Sequence, residues 1–151
     1  MSENKLHIDP NQIHLNYIEE VSVTIDNTEP IKDSKVTLST NIAHISAHNL
    51  DKNQFLFGLH LVFNTNNLDV IHECNFRYNF HFIIDNLKEM YEIDKDKEPV
   101  FKEIFAATLA GISYSTLRGI VFEKTKDSNW GTIILPVVNP AILLESWIGK
   151  D

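Results

Sequence analysis

The stretch ECNFRYNFHFII, residues 73–84, shows the clearest alternation in the chain. Cysteine, phenylalanine, tyrosine and isoleucine take every second position, and mostly polar side chains take the positions between them. Successive side chains of a β-strand point to opposite faces. The period of two therefore predicts a strand with one buried face and one wetter face.

Three further strands are predicted before this one. Residues 12–25 alternate with a change of phase at Glu19 and Glu20, which indicates a bulge. Residues 35–48 alternate again, and residues 55–63 are nearly apolar on both faces. These patterns are typical of β-strands.

The connections between these strands favour an antiparallel sheet. The polar residues 26–34 form a loop too long for a tight hairpin, so we expect it to cross over. The asparagine-rich residues 64–67 predict a turn. Four strands without a helix between them predict a meander or Greek-key sheet and an α+β fold.

Helices are predicted in the second half of the chain. The charge-dense residues 86–98 are predicted to hold a short helical turn, and Pro99 suits the first turn of a helix of about twenty residues. Asn139 and Pro140 resemble an N-cap followed by proline at the first helical position. They predict a final helix over residues 141–148.

One stripe of the long helix is made of small residues, which allow another backbone to approach closely. Two interpretations stay open: the helix packs tightly on its own sheet, or a helix of another subunit packs against it. The stripe consists of Ala106, Ala107, Ala110, Gly111, Ser113 and Ser115.

Composition excludes several classes of partner. The chain of 151 residues has 13 Lys and Arg against 21 Asp and Glu, a formal net charge of −8, so we expect no nucleic-acid partner. With neither a long apolar run nor a signal sequence, we expect no membrane insertion and a cytoplasmic location. The single cysteine suits a reducing compartment. We expect residues 1–11 to be a mobile leader and residues 12–149 to form one domain.

The motifs of common catalytic and metal sites are not recognisable. The five glycines match no phosphate-binding loop, and Cys74 lies on the apolar side of its strand, where a buried thiol is expected. His44 and His48 would lie about 13 Å apart on a strand, too far to share one ion. His60 and His81 fall on wetter strand faces. We expect no metal, no cofactor and no enzymatic activity.

Several residue strings resemble the protein-export chaperone SecB and its relatives. Residues 133–144, IILPVVNPAILL, resemble the family's Leu-x-Pro-Val-Asn-x-x-x-Leu connector and final helix. Residues 15–22, LNYIEEVS, resemble its first strand, and Arg118-Gly119 looks like the end of its long helix. The resemblance covers residues 12–149 and implies a four-stranded Greek-key sheet, a long helix and a short C-terminal helix.

The resemblance also implies a function. Family members are ATP-independent holdases that bind unfolded polypeptide clients in apolar grooves and assemble as a dimer of dimers around their long helices. By position, the client groove would include Ile31, Val36 and Leu38 on the loop side and Leu143, Leu144 and Trp147 on the lid. The oligomer interface would include Ala106, Ala107, Ala110, Gly111 and Ser115.

Partner and function alternatives remain open at this point. Lys150 and Asp151 follow the last predicted helix directly, without the zinc-binding tail of the export chaperones, so docking to SecA through that tail is doubtful. The protein could serve general export, a toxin–antitoxin system as the chaperone of one dedicated antitoxin, or a mobile element. The competing hypotheses are a regulatory binding partner and a hotdog-type enzyme or small-ligand binder that uses Thr108, Ser113 or Ser115.

Overall fold

A computed structural model describes residues 7–26, 37–67 and 70–145. Four long strands come first, followed by a small hairpin and two helices. In chain order the elements are β1 (Ile13–Ile25), β2 (Thr37–Asn49), β3 (Gln54–Asn67), β4 (Val70–Ile84), β5 (Tyr91–Ile93), β6 (Pro99–Phe101), α1 (Glu103–Thr125) and α2 (Pro140–Glu145). Single 3-10 turns occur at Pro10–Gln12, Leu50–Lys52 and Leu87–Glu89.

The four long strands form one antiparallel sheet in the order β1-β4-β3-β2. Strands β2, β3 and β4 make a meander, and β1 lies beside β4 at the far edge. This is the Greek-key arrangement, in which the connection from β1 to β2 leads from one edge of the sheet to the other. The predicted α+β fold, with a Greek-key sheet, a long helix and a short C-terminal helix, is confirmed.

One face of the sheet, here called the inner face, forms the core with α1. On β3 and β4 it carries aromatic and aliphatic side chains in register, such as Phe57 opposite Phe80. Phe105 and Leu117 of α1 are fully buried against it. The rings of Phe55 and Phe105 meet edge to face with centroids 5.5 Å apart. Each such buried side chain contributes roughly 1.5–3 kcal/mol to folding.

The opposite face, here called the outer face, is uncovered by any described element. It carries Leu56 and His60 of β3 and Asn79 and His81 of β4, all of them half-buried. The alternation in residues 73–84 therefore sorts its side chains between helix and solvent, as predicted.

Strand β1 contains two register shifts against β4, between Leu15 and Tyr17 and between Glu20 and Ser22. The second lies where the sequence predicted a bulge, which is confirmed there. The first was not predicted. Bulges of this kind twist an edge strand and so make its free side a poorer template for pairing with another strand.

The turn predicted at residues 64–67 is wrong. Strand β3 continues to Asn67, which pairs with Val70, so only residues 68–69 connect β3 to β4. Strands pair through their backbone groups and can carry polar side chains, so the asparagines of residues 64–67 are part of the strand and the connection comes after them.

The predicted role of Pro99 is also wrong, since it begins strand β6 opposite Ile93 and α1 begins at Glu103. The β5–β6 hairpin turns where the Asp94 side chain accepts hydrogen bonds from the backbone of Asp96 and Glu98, each at 2.9 Å. Proline is tolerated at the start of a strand. The helical turn predicted in this charged stretch is present at Leu87–Glu89.

Helix α1 is long and apolar enough to cross a membrane by length and composition alone. In this structure it lies on the inner face, with one side buried against the sheet. On its other sides the helix exposes Ile104 near its N-terminus and Phe122 near its C-terminus, and Ala107 is half-buried there. A helix with apolar residues on more than one side is typical of one that packs between two layers.

Candidate functional site

The predicted client groove is only partly within the described residues. Ile31, Val36 and Trp147 lie outside them, and the backbone of Leu38 pairs with Thr65 in the sheet. The remaining two residues, Leu143 and Leu144, are buried in the core on the inward side of α2. Within the single chain, these two leucines anchor α2 to the core.

Residues 126–139, here called the connector, run back along α1 and are hydrogen-bonded to it. The Tyr114 hydroxyl donates to the Pro136 carbonyl at 2.6 Å, and the Arg118 Nε donates to the Leu135 carbonyl at 3.0 Å. The Ile133 amide donates to the Thr125 hydroxyl oxygen at 2.9 Å. These bonds satisfy backbone groups of an extended segment that has no strand partner.

The tethered connector exposes a set of large apolar side chains, here called the connector band. Ile133 and Leu135 face the core, so Ile134 between them faces out. Exposure is 69% for Ile134, 83% for Val137 and 60% for Ile142 of α2. Large apolar residues this exposed are common singly, but three of them between residues 134 and 142 make this segment a candidate interaction surface. Sequence reasoning chose Leu143 and Leu144 and missed these three, although the apolar run 133–138 was visible.

Helix α2 itself begins as its sequence predicted. The Asn139 side chain accepts a hydrogen bond from the Ala141 amide at 3.0 Å, and Pro140 is the first helical residue. The helix packs on the small stripe of α1: a Cβ on Gly111 would lie 3.1 Å from a ring carbon of Pro140. Part of the stripe therefore serves packing within the chain.

The other predicted interface positions differ in accessibility. Ala110 is fully buried, Ala106 and Ala107 are half-buried, and Ser115 is exposed. A shallow groove of about 670 Å³ runs between α1 and the start of α2, with Ala107, Gly111 and Ser115 in its lining. The structure thus brings three of the five positions together on one open surface.

The hydroxyl groups considered for catalysis do not form a constellation. Thr108 donates its hydroxyl to the Ile104 carbonyl at 2.7 Å, as helical threonines commonly do. Ser113 is fully buried with no hydrogen-bond partner, and Ser115 is exposed. Burial raises the pKa of the Cys74 thiol to about 12, which makes it a poor nucleophile.

Four of the histidines, His14, His60, His72 and His81, each pair with a carboxylate or amide group. His81 Nε2 lies 3.1 Å from Glu19 Oε1, and His72 Nδ1 lies 3.0 Å from Asp26 Oδ2. Hydrogen bonds from His81 and then Asn79 hold the pKa of Glu19 below its usual range. Within residues 7–26, 37–67 and 70–145, no group of three or more His, Cys, Asp or Glu side chains could hold a metal ion.

Comparison with known proteins supports the assignment of the fold. No protein-family model and no curated protein sequence matches the chain. Among solved structures it is similar to the SecB-like chaperone Rv1957 of Mycobacterium tuberculosis, solved in complex with a ChAD peptide from the antitoxin HigA1, Rv1956. The match has a TM-score of 0.60 at 11% identity and covers 85% of this chain and 92% of that chain. The Greek-key sheet, the long helix and the tethered short helix together give this chain the SecB-like fold.

Proposed function

We propose that the protein is an ATP-independent holdase that binds unfolded or extended polypeptide segments and keeps them from aggregating. The observation that carries this proposal is the connector band, the exposed apolar side chains of Ile134 and Val137 on the segment that leads into the final helix and of Ile142 in that helix. The SecB-like fold supports it, because the similar solved structure is a chaperone in complex with a peptide.

The physical basis of such binding is burial of apolar area without a demand for one client sequence. Each apolar contact contributes roughly 25 cal/mol per Å² removed from water. An extended client contacts several such side chains weakly, and copies of the surface on one oligomer increase the overall affinity by avidity. The formal net charge of −8 favours encounter with basic clients.

A light-scattering assay of client aggregation tests the proposal. The purified protein should suppress aggregation of reduced insulin and of a heat-unfolded enzyme at stoichiometric ratios, with and without ATP. The double variant Ile134→Ser, Val137→Ser should lose most of this suppression. The matched control is Val100→Ser, because Val100 is 55% exposed and lies on the β5–β6 hairpin. Absence of suppression by the unmodified protein, or full suppression by the double variant, would contradict the proposal.

We also propose that the protein works as a homo-oligomer, a dimer of dimers. The open groove along α1 at Ala107, Gly111 and Ser115 offers a surface on which the α1 helix of another subunit could pack closely. Four chains of 17.4 kDa should give a molar mass of about 70 kDa by light scattering. Ser115→Arg should lower that mass, whereas Thr132→Arg on the exposed connector should not. A monomer would refute the proposal, and a dimer would refute the dimer of dimers.

The client class is a separate question that the same preparation can answer. A dedicated antitoxin client would give one stable stoichiometric complex on co-purification. General export clients would give many weak ones. A hotdog-type enzyme would instead turn over acyl thioesters, and we expect no such turnover.

A further inference from the structure

We infer that the outer face of the sheet carries a carboxylate-binding site centred on Arg77, which receives an acidic side chain of a partner polypeptide. The site lies on the face opposite α1 and is separate from the connector band. It does not depend on the proposed holdase function.

The site is a cavity of about 360 Å³ that is lined by residues of all four long strands. Val21 and Ile45 line its apolar part, and His60, Arg77 and Asn79 line its polar part. The floor is Gly58, which pairs with Ile45 on one side and Asn79 on the other.

The absence of a side chain at Gly58 allows this shape. A Cβ there would lie 2.6 Å from the Asn79 Oδ1 and 2.7 Å from the Ile45 Cγ1, closer than real Cβ contacts. The two side chains can therefore approach each other over β3 only because position 58 is glycine.

A chain of hydrogen bonds holds the guanidinium of Arg77 at this cavity. Its Nη2 lies 3.3 Å from the His60 Nδ1, and the His60 Nε2 lies 2.8 Å from the Asn75 Oδ1. A guanidinium can only donate hydrogen bonds, so Nδ1 accepts and Nε2 donates to the amide oxygen. Asn75 and His60 thus position Arg77 before any ligand binds.

No carboxylate of the described residues forms an ion pair with the positioned guanidinium. The ion pairs among the described residues all involve cationic side chains other than Arg77. The nearby carboxylate of Glu19 is instead hydrogen-bonded to His81 and Asn79. Four of the five N–H donors of Arg77 are therefore available, in the fork that matches a carboxylate. The formal net charge of −8 makes a single carboxylate a better ligand than a polyanion.

The apolar surroundings favour a carboxylate that belongs to a polypeptide. Ile45 and Val21 are exposed beside the guanidinium and can contact apolar neighbours of an acidic residue. A second cavity of about 400 Å³, lined by Tyr17, Leu56 and other residues, lies over the next outward position of β3. That position is about 7 Å away by strand rise, so an extended segment can place side chains i and i+2 in the two cavities.

Fluorescence anisotropy with two dye-labelled peptides tests the site. The probes are Gly-Val-Glu-Val-Leu-Gly and the same peptide with Gln in place of Glu. We expect the Glu peptide to bind about tenfold more tightly, because a charge-assisted fork to Arg77 is lost with Gln. Arg77→Gln should abolish this preference, and Lys88→Gln, a change at an exposed lysine of the turn after β4, should leave it intact. Arg77→Lys keeps the charge without the fork and should retain only part of it.

Three results would overturn the inference. The first is equal affinity of the unmodified protein for the two peptides, and the second is an undiminished preference for the Glu peptide in both Arg77 variants. The third is a nuclear magnetic resonance titration in which peptide binding does not change the amide signals of Val21, Ile45 and Gly58. Sodium acetate tests whether the carboxylate alone accounts for the binding. If acetate alone binds as tightly as the Glu peptide, the apolar contacts contribute nothing and a polypeptide ligand is refuted.

Discussion

Mild acid should destabilise this protein through one half-buried histidine, His44. Burial lowers the pKa of His44 to about 4, from an ordinary value of 6.5. Its ring stacks on Phe57 with centroids 5.3 Å apart and an interplanar angle of 17°. The unfolded chain takes up a proton at His44 near pH 6.5, and the folded chain does so only near pH 4. Stability is therefore lost as the pH falls from about 6.5 towards 4 and is fully present above that range.

The size of this loss follows from the two pKa values. Their difference of about 2.5 units corresponds to about 3 kcal/mol when the pH lies below both values. Between pH 7 and pH 5 the expected loss is about 2 kcal/mol, because the unfolded state is almost fully protonated at pH 5 and the folded state is not. The depressed pKa values of Glu19 and Glu20 add a further loss only at lower pH, below the ordinary glutamate value of 4.5.

Urea unfolding at fixed protein concentration, followed by circular dichroism at pH 7 and pH 5, measures this difference. The unmodified protein should lose about 2 kcal/mol of unfolding free energy between the two pH values. His44→Leu should lose less than half as much, because no imidazole remains at that position. His48→Gln is the matched control, since His48 is exposed on the same strand, and it should behave like the unmodified protein. If His44→Leu shows the full loss, burial of His44 is not its cause and the reasoning is refuted.

Three substitutions in α1 and one labelling experiment on β4 test the packing of the core and the connector. Tyr114→Phe removes the 2.6 Å hydrogen bond to the connector and should cost about 1 kcal/mol in urea unfolding, whereas no measurable change would show that the bond contributes nothing net. The buried Cys74, with its pKa raised to about 12, should resist Ellman's reagent at pH 8 until the protein is unfolded in urea, and rapid native labelling would contradict its burial. Gly111→Leu should destabilise the protein by roughly 1–3 kcal/mol because its side chain meets Pro140, while Gly119→Ala, with no atom within 4 Å of the added Cβ, should stabilise it by roughly 0.5–1 kcal/mol.

The strands were predictable where burial differs between their two faces. The alternation in residues 73–84 arises because one side meets α1 and the other meets solvent, and the structure sorts the side chains accordingly. The long helix was predictable because its apolar residues recur at three- and four-residue steps. The β5–β6 hairpin was missed because its strands are only three residues long and carry too few side chains to show a period.

The candidate sites were less predictable than the fold. Leu143 and Leu144 belong to an apolar helix, and composition cannot tell a leucine that anchors a helix from one that faces out. The structure turns both inward and leaves Ile142 exposed. The connector band depends on hydrogen bonds from Tyr114 and Arg118, which lie more than fifteen residues from their acceptors in sequence.

The sequence by itself determined the order of the four long strands and the two helices, the α+β class and the sheet face that meets the core. Hydrophobic periodicity is local, and it determines which side of each element leaves water. Only the tertiary structure decided which residues meet across elements. Arg77 acquires its positioned guanidinium from His60, a residue of the neighbouring strand, and the groove on α1 exists because Pro140 packs beside Gly111. Contacts of this kind depend on strand register and on the return path of the chain, which no local pattern contains.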